Sequence, residues 1–551
     1  MALPKPFPIS EGSLMDKKYG NPAIRLFGNR FIVEQGPLEL MAELLAVVFC
    51  EKRVGGEVLS EGELLPSLET LARWPSGKPL EYHPPIKLNL KLFALLTASR
   101  IDTREVMHVE QYQRLSRRLK GRIRTVDQTQ EEAEEAIQLL QDLLQGFQGA
   151  GLNRTWCAQT FFPISPALIT GETLWNETAA KKEARVLRWI ETLERLRTFF
   201  SVSKHRFLAR GGELLYLQIC NALRNGENVR RFAGELRGLV PSALSDEEAD
   251  PATLHASVAR GLSGLRLPGL APFNRLVEMI EGLDPETSQV VRRSGGEDWE
   301  QCEWCPAESW PEGYLFAVEL SRLLNAALDP VERLELISMG CALQVLRSLG
   351  AQSARALGGQ PITGSPLGFA WIFTDVDKAT RPLRVASHQN LQRVQQLIYQ
   401  ALRIEELARN AAAWGKQNIY KEADTRYGHK LFLSMGKTLG IIVPRRGPWA
   451  RFVMTDRLLR YLVLSVLRPG ESCTYDVFLQ RLFIHHGIAV EGDILERAAI
   501  WSNLPSGSHL AHSNDRWLAE SLKAGGFLVQ LSDAHSVVKN DYVVGASGER
   551  G

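Results

Sequence analysis

The sequence predicts a mainly α-helical, multi-domain protein: a large helical body that ends in three helices and two short strands. Three observations carry this expectation. Apolar residues recur at helical spacing along most of the chain, strand-like runs are few and short, and a Gly525-Gly526 break separates the last helical run from the final two strand-like ones. At 551 residues the chain can hold roughly three to four domains, each burying its own core. The divisions expected are 1–148, 149–290, 312–415 and 416–551, the first three helical and the last a basic segment leading into the C-terminal unit.

Composition narrows the class. An apolar fraction of 44% and a charged fraction of 23% are those of a globular chain. No uncharged apolar run is long enough to cross a membrane, and Met1 to Gly20 mixes prolines and charges where a signal peptide needs an apolar core, so the compartment expected is the cytoplasm. Seven scattered cysteines read as reduced thiols rather than a disulfide framework. The net charge is only +2, but Lys416 to Arg468 carries eleven Lys and Arg against three acids, 11 − 3 = +8. Positive charge gathered there suits a phosphate-facing surface.

Helices are expected in order. Leu38 to Glu51 is apolar and ends near Gly55-Gly56; Lys87 to Ala98 and Arg104 to Lys120 follow the Pro84-Pro85 break, and the basic residues closing the second complement a helix C-terminus. Gln130 to Phe147 opens on four glutamates, as a helix dipole favours. Thr178 to Phe200, Gly212 to Arg224, Val229 to Leu236, Asp246 to Leu262 and Pro272 to Leu283 continue the pattern, with Ser245 and the acids after it marking a helix start. Val291 to Pro311 reads as a loop, Glu312 to Ala327 and Pro330 to Leu349 as helices, and Gly350 to Gly368 as a glycine-rich connection. Phe369 to Thr374 reads as one buried strand and Arg384 to Trp414 as the longest helix. The C-terminal helices are Asp456 to Leu467, Thr474 to His486 and Ser513 to Lys523, followed by strands at Phe527 to Leu531 and Val537 to Val544.

Catalytic signatures are missing. There is no GxxxxGK[ST], no GxSxG and no GxGxxG after a strand, so neither catalytic residue nor cofactor is expected. Cys302-Glu303-Trp304-Cys305 is a CxxC without the second pair a structural zinc needs, and plain thiols are the simpler reading. His485, His486, His509 and His512 cluster without HExxH, and no metal site is assigned to them. Asp375 and Asp377 could join a nuclease site assembled by the fold, giving a metal-dependent hydrolase as one alternative; a strand-end turn is the other reading. Upstream of the C-terminal unit, Lys437, Arg445, Arg446, Trp449 and Arg451 place cations and an aromatic around a turn, a combination that can meet phosphates and stack on a base or sugar. A solvated basic loop would look the same.

Three helices followed by a hairpin, with Gly525-Gly526 at its entry, resemble the winged-helix family over Asp456 to Val544. The resemblance implies a mainly α protein, a helical body with a C-terminal winged-helix-like domain, whose third helix enters the DNA major groove. It would turn Ser513, Asn514, Arg516 and Lys523 toward DNA, pack Trp517, Leu518 and Leu522 inward, and lay the hairpin tip, Ser532 to His535, with Lys539, over the backbone. The long connection from Gly487 to His512, with an added helix at Asp493 to Trp501, departs from the family pattern and puts the standard docking pose in doubt. In overall style the chain also resembles accessory subunits of bacterial anti-phage defence operons. These likenesses imply a non-enzymatic DNA-binding or scaffold subunit with protein partners; winged helices also act as pure protein-interaction adaptors, so that alternative stands beside it.

Overall fold

The computed structural model describes residues 4–82, 211–265, 299–408, 418–504 and 516–543, with short gaps inside them, and isolated positions between 117 and 283. The expected helices from Lys87 to Phe200, and Pro272 to Leu283, lie wholly or mostly outside the described residues. Within the described residues helix outweighs strand, 61% against 11%, in 17 helices.

The centre is a layer of long helices. Gly211–Arg224 and Trp310–Asn325 are buried almost along their whole lengths, with Pro37–Phe49 and Pro330–Ala356 packed against them. They meet closely where Gly313 lies on the Gln218 carbonyl, only 2.4 Å from where a Cβ would sit. Asp329 starts Pro330–Ala356: its Oδ1 accepts from the Val331 and Glu332 amides at 2.9 and 3.3 Å, and Pro330 takes the first helical position, which needs no N–H. This helix was expected to stop at Leu349, before the glycines. It continues to Ala356 because Gly350 is a packing residue: the Phe369 ring occupies the space a side chain would need, 2.9 Å from its Cβ position. The helix is long and apolar enough to span a membrane, and here it is the buried core.

Other departures have local causes. Asp246 to Leu262 is two helices, Asp246–Ala249 and Pro251–Ser263, because the Asp250 carboxylate turns to cap Ala252 and Thr253 ahead of Pro251. The long helix is Arg381–Ala401 and stops short of Trp414; beyond it Arg403 makes a bidentate pair with Asp424 at 2.6 Å, and a separate turn, Glu405–Ala408, follows. The expected loop at 291–311 contains Glu300–Gln301, which completes a four-stranded antiparallel sheet with Leu80–Tyr82, Lys52–Val54 and Glu57–Val58. The single strand expected at 369–374 is two. Trp371–Ile372 pairs in parallel with Ile488–Ala489, and Thr374–Asp375 pairs in parallel with Arg451–Met454, which also pairs antiparallel with Ile442–Val443.

The C-terminal helices are Asp456–Val466, Tyr475–His486, Gly492–Trp501 and Trp517–Ala524. Thr455 and Thr474 begin the first two by accepting hydrogen bonds from Leu458 and Val477, satisfying donors the helix leaves open. Ser472–Thr474, Ser536–Lys539 and Leu528–Gln530 form a three-stranded antiparallel sheet with the last strand of the chain in the middle. One continuous apolar core joins these elements to the rest of the described chain, from Phe7 to Val538.

Two sealed polar networks fasten this end to the body. Glu319 accepts a bidentate pair from Arg347 at 2.6 and 3.1 Å and bonds from Tyr461 and His485 at 3.3 and 3.2 Å, while Arg347 reaches the His485 carbonyl at 2.7 Å. Glu248 closes a capping box on Ser245 and pairs with Arg322 at 2.7 Å; Arg322 also donates to the Ser465 and Val466 carbonyls at 3.1 and 2.6 Å. Arg481 joins through Glu471 at 2.6 Å.

Candidate nucleic-acid interface

Ile442–Val443 and Arg451–Met454 are joined by a loop, 444–450, whose residues 445–449 are exposed. Beneath it the Trp371, Phe373, Phe432 and Phe452 rings pack at 5.3 to 6.2 Å and anchor the two strands. Arg445 and Arg446 are exposed and have no ion-pair partner among the described residues. Trp449 is 63% exposed and takes φ +65°, a left-handed conformation that bulky side chains avoid. Its ring lies 4.8 Å from that of His388, two turns into Arg381–Ala401. The Ala450 carbonyl, 2.7 Å from His388 Nδ1, can only accept, so this nitrogen carries the proton; Nε2 meets the Gln392 amide at 3.1 Å.

The turn after Thr374–Asp375 supports the loop from the other side. Asp375 Oδ1 accepts from the Asp377 and Lys378 amides at 2.8 and 2.6 Å, and Arg451 donates to the Val376 carbonyl at 2.7 Å. Arg384 donates to the Ala379 carbonyl at 2.8 Å and to that of Asp377 at 2.5 Å. Burial, then the neighbouring Arg384 guanidinium, lowers the Arg451 pKa against the pull of Asp375 and Asp377. Arg451 Nε is buried without a hydrogen-bond partner. From the same turn Lys378 reaches Glu520 at 3.1 Å, on Trp517–Ala524, so the basic loop and the third C-terminal helix of the sequence reading flank one turn. Arg516 and Lys523, at the two ends of that helix, are exposed, while Trp517, Leu518 and Leu522 pack inward.

The remaining expected residues divide. Lys437 is half-buried in the last turn of His429–Thr438, where a cation complements the helix C-terminus, and Lys539 is ion-paired with Asp541. Ser513, Asn514 and His535 lie outside the described residues, as do His509 and His512. Lys378, Arg381, Arg384 and His388 were missed. A signal existed: the first turn of Arg381–Ala401 holds two arginines and no acid, against the preference of a helix N-terminus.

The other candidates are held in structural roles. Cys302 and Cys305 are both buried, the first bonded through its amide to the Leu80 carbonyl at 2.7 Å, and burial raises the Cys305 thiol well above its ordinary value. His485 and His486 are sealed against Glu319; burial lowers both, His486 to about 3. Burial alone would raise Glu319, but Arg347 and the two histidines hold it well below the usual carboxylate range. Among the described residues no group of three or more His, Cys, Asp or Glu could hold a metal, and Asp375 is occupied by its own turn. No protein-family model, no curated protein and no solved structure matches this chain.

Proposed function

We propose that this chain is a non-enzymatic DNA-binding subunit, and that a C-terminal winged helix and the basic 444–451 hairpin act as one DNA-facing surface. The observation carrying this reading is the 375–378 turn, which holds Arg451 on one side and, through Lys378, Glu520 of the third helix on the other. Lys378, Arg384 and Arg451, far apart in sequence, thereby border one turn. Support for a winged helix is the order helix, strand, helix, helix, hairpin once Ile488–Ala489 and Gly492–Trp501 are set aside as an insertion, with Ser536–Lys539 pairing between the other two strands. The inserted Ile488–Ala489 and Gly492–Trp501 pack against the body, and Asp456–Val466 and Tyr475–His486 are largely buried. Among the described elements of this end, this leaves Trp517–Ala524 and the hairpins to meet a duplex. Phosphate contacts from Arg445, Arg446, Arg516 and Lys523 would set register, and the third helix would read base edges.

Fluorescence anisotropy of the full-length chain with labelled duplex DNA, across a salt series, tests this. The expected result is salt-sensitive binding whose log–log slope flattens by about 3 to 4 when the four cations are replaced by alanine, near one unit per lost phosphate contact. Binding that ignores salt, or that survives the replacement unchanged, sinks the reading.

A further inference from the structure

We propose that Trp449, backed by His388, is a stacking seat for an unpaired nucleobase, so that this surface prefers a duplex bearing a single-stranded extension to a blunt one. The proposal rests on the DNA-binding reading above and goes beyond it by naming the form of DNA recognised.

Trp449 is a poor choice for a plain turn. Its φ of +65° is one that glycine adopts without strain, and 63% of this large apolar residue is in solvent. Residues held in such conformations persist when the surroundings over-determine them, and they concentrate where a ligand is clamped. Here the surroundings are specific: the His388 ring lies 4.8 Å away, and His388 is itself fixed at both nitrogens by Ala450 and Gln392. The indole is thus positioned on one partner with most of its surface open.

The neighbours select the ligand. Arg445 and Arg446 precede Trp449 in the loop and Arg451 follows it, so cations bracket the aromatic as they do on stacking platforms for single strands. Arg451 lies beside Arg384, a like-charge contact, and keeps one buried N–H without an acceptor. A phosphate between a stacked base and its neighbour would offset the like charges of Arg384 and Arg451. Bases inside a duplex already stack on each other, so away from its ends only an unpaired base can offer its face to Trp449.

The test measures anisotropy with the full-length chain and three labelled DNAs: a blunt duplex, the same duplex with a short single-stranded extension, and that extension with abasic sites. The extension should tighten binding by roughly 5- to 150-fold, the range one stacked base supplies, and the abasic extension should not. Trp449→Ala should reduce the extended DNA to the blunt level, while Trp449→Phe keeps most of the preference. An Arg516→Ala/Lys523→Ala variant should weaken all three DNAs alike. If Trp449→Ala weakens blunt and extended DNA equally, or the abasic extension binds as well as the normal one, stacking is overturned while DNA binding stands. If the wild-type chain binds none of the three, both readings fall together.

Discussion

Arginine serves two regions of this molecule in opposite ways. In the interior, Arg322, Arg347 and Arg481 are sealed from water and each is matched to a carboxylate, Glu248, Glu319 and Glu471. On the outer edge, Arg445 and Arg446 stand in solvent without an acid partner among the described residues, and Arg384 spends its hydrogen bonds on backbone carbonyls beside Arg451. An interior guanidinium must be neutralised where it stands, because an uncompensated buried charge costs several kcal/mol. An exposed one can be left for a partner to neutralise. The difference separates arginines that hold the fold together from arginines left in solvent, by burial and pairing alone.

The strongest way to break the contrast is to remove one interior partner. Arg347→Ala strands Glu319 in the core and should cost about 3–5 kcal/mol, read as a lower denaturant midpoint; a loss under about 1 kcal/mol would mean the network is not sealed. Acid should act on the same region. His486 is held near 3 in the fold, so as pH falls below its ordinary value, about 6.5, the unfolded chain takes up a proton that the folded chain refuses. Burial would raise Glu248, but Arg322 and Arg468 bring it down to about 2; the stability it contributes is present above about 4.5 and lost as pH falls toward 2. Both signs agree: melting temperature should fall as pH drops below about 6.5, and go on falling below about 4.5 toward 2. A flat profile would contradict the depressed values.

Changes on the outer edge should behave otherwise. Arg445→Ala with Arg446→Ala should leave stability within about 0.5 kcal/mol while lowering the salt dependence of DNA binding by about 2. A variant that unfolds would place these arginines with the interior set. Smallest of all, Trp449→Gly removes the left-handed strain and should raise stability by no more than about 1 kcal/mol in thermal melts, a gain that the native residue forgoes.

What the sequence revealed follows from where the information lies. The C-terminal helices were readable because Thr455 and Thr474 are local start signals followed by helical apolar spacing. Gly350 misled because a glycine reads as a breaker until the Phe369 ring, distant in sequence, is placed against it. Two-residue strands such as Thr374–Asp375 were illegible, since pairing with Arg451–Met454 defines them and no local pattern does. At the candidate interface Arg445, Arg446 and Trp449 stood out as a cluster in sequence. Lys378, Arg384 and His388 join them only through tertiary contacts, and so escaped notice.

The route of Arg347 has a practical meaning. Its guanidinium is satisfied partly by the His485 carbonyl, just as Arg322 is by those of Ser465 and Val466. A fragment ending before residue 456 would deprive both charges of these acceptors and leave them facing a vacant seam. A fragment beginning there would expose a wall of leucines. The C-terminal end should therefore melt together with the body in one cooperative transition, and a change in the core of the body should be felt there as a loss of the whole platform.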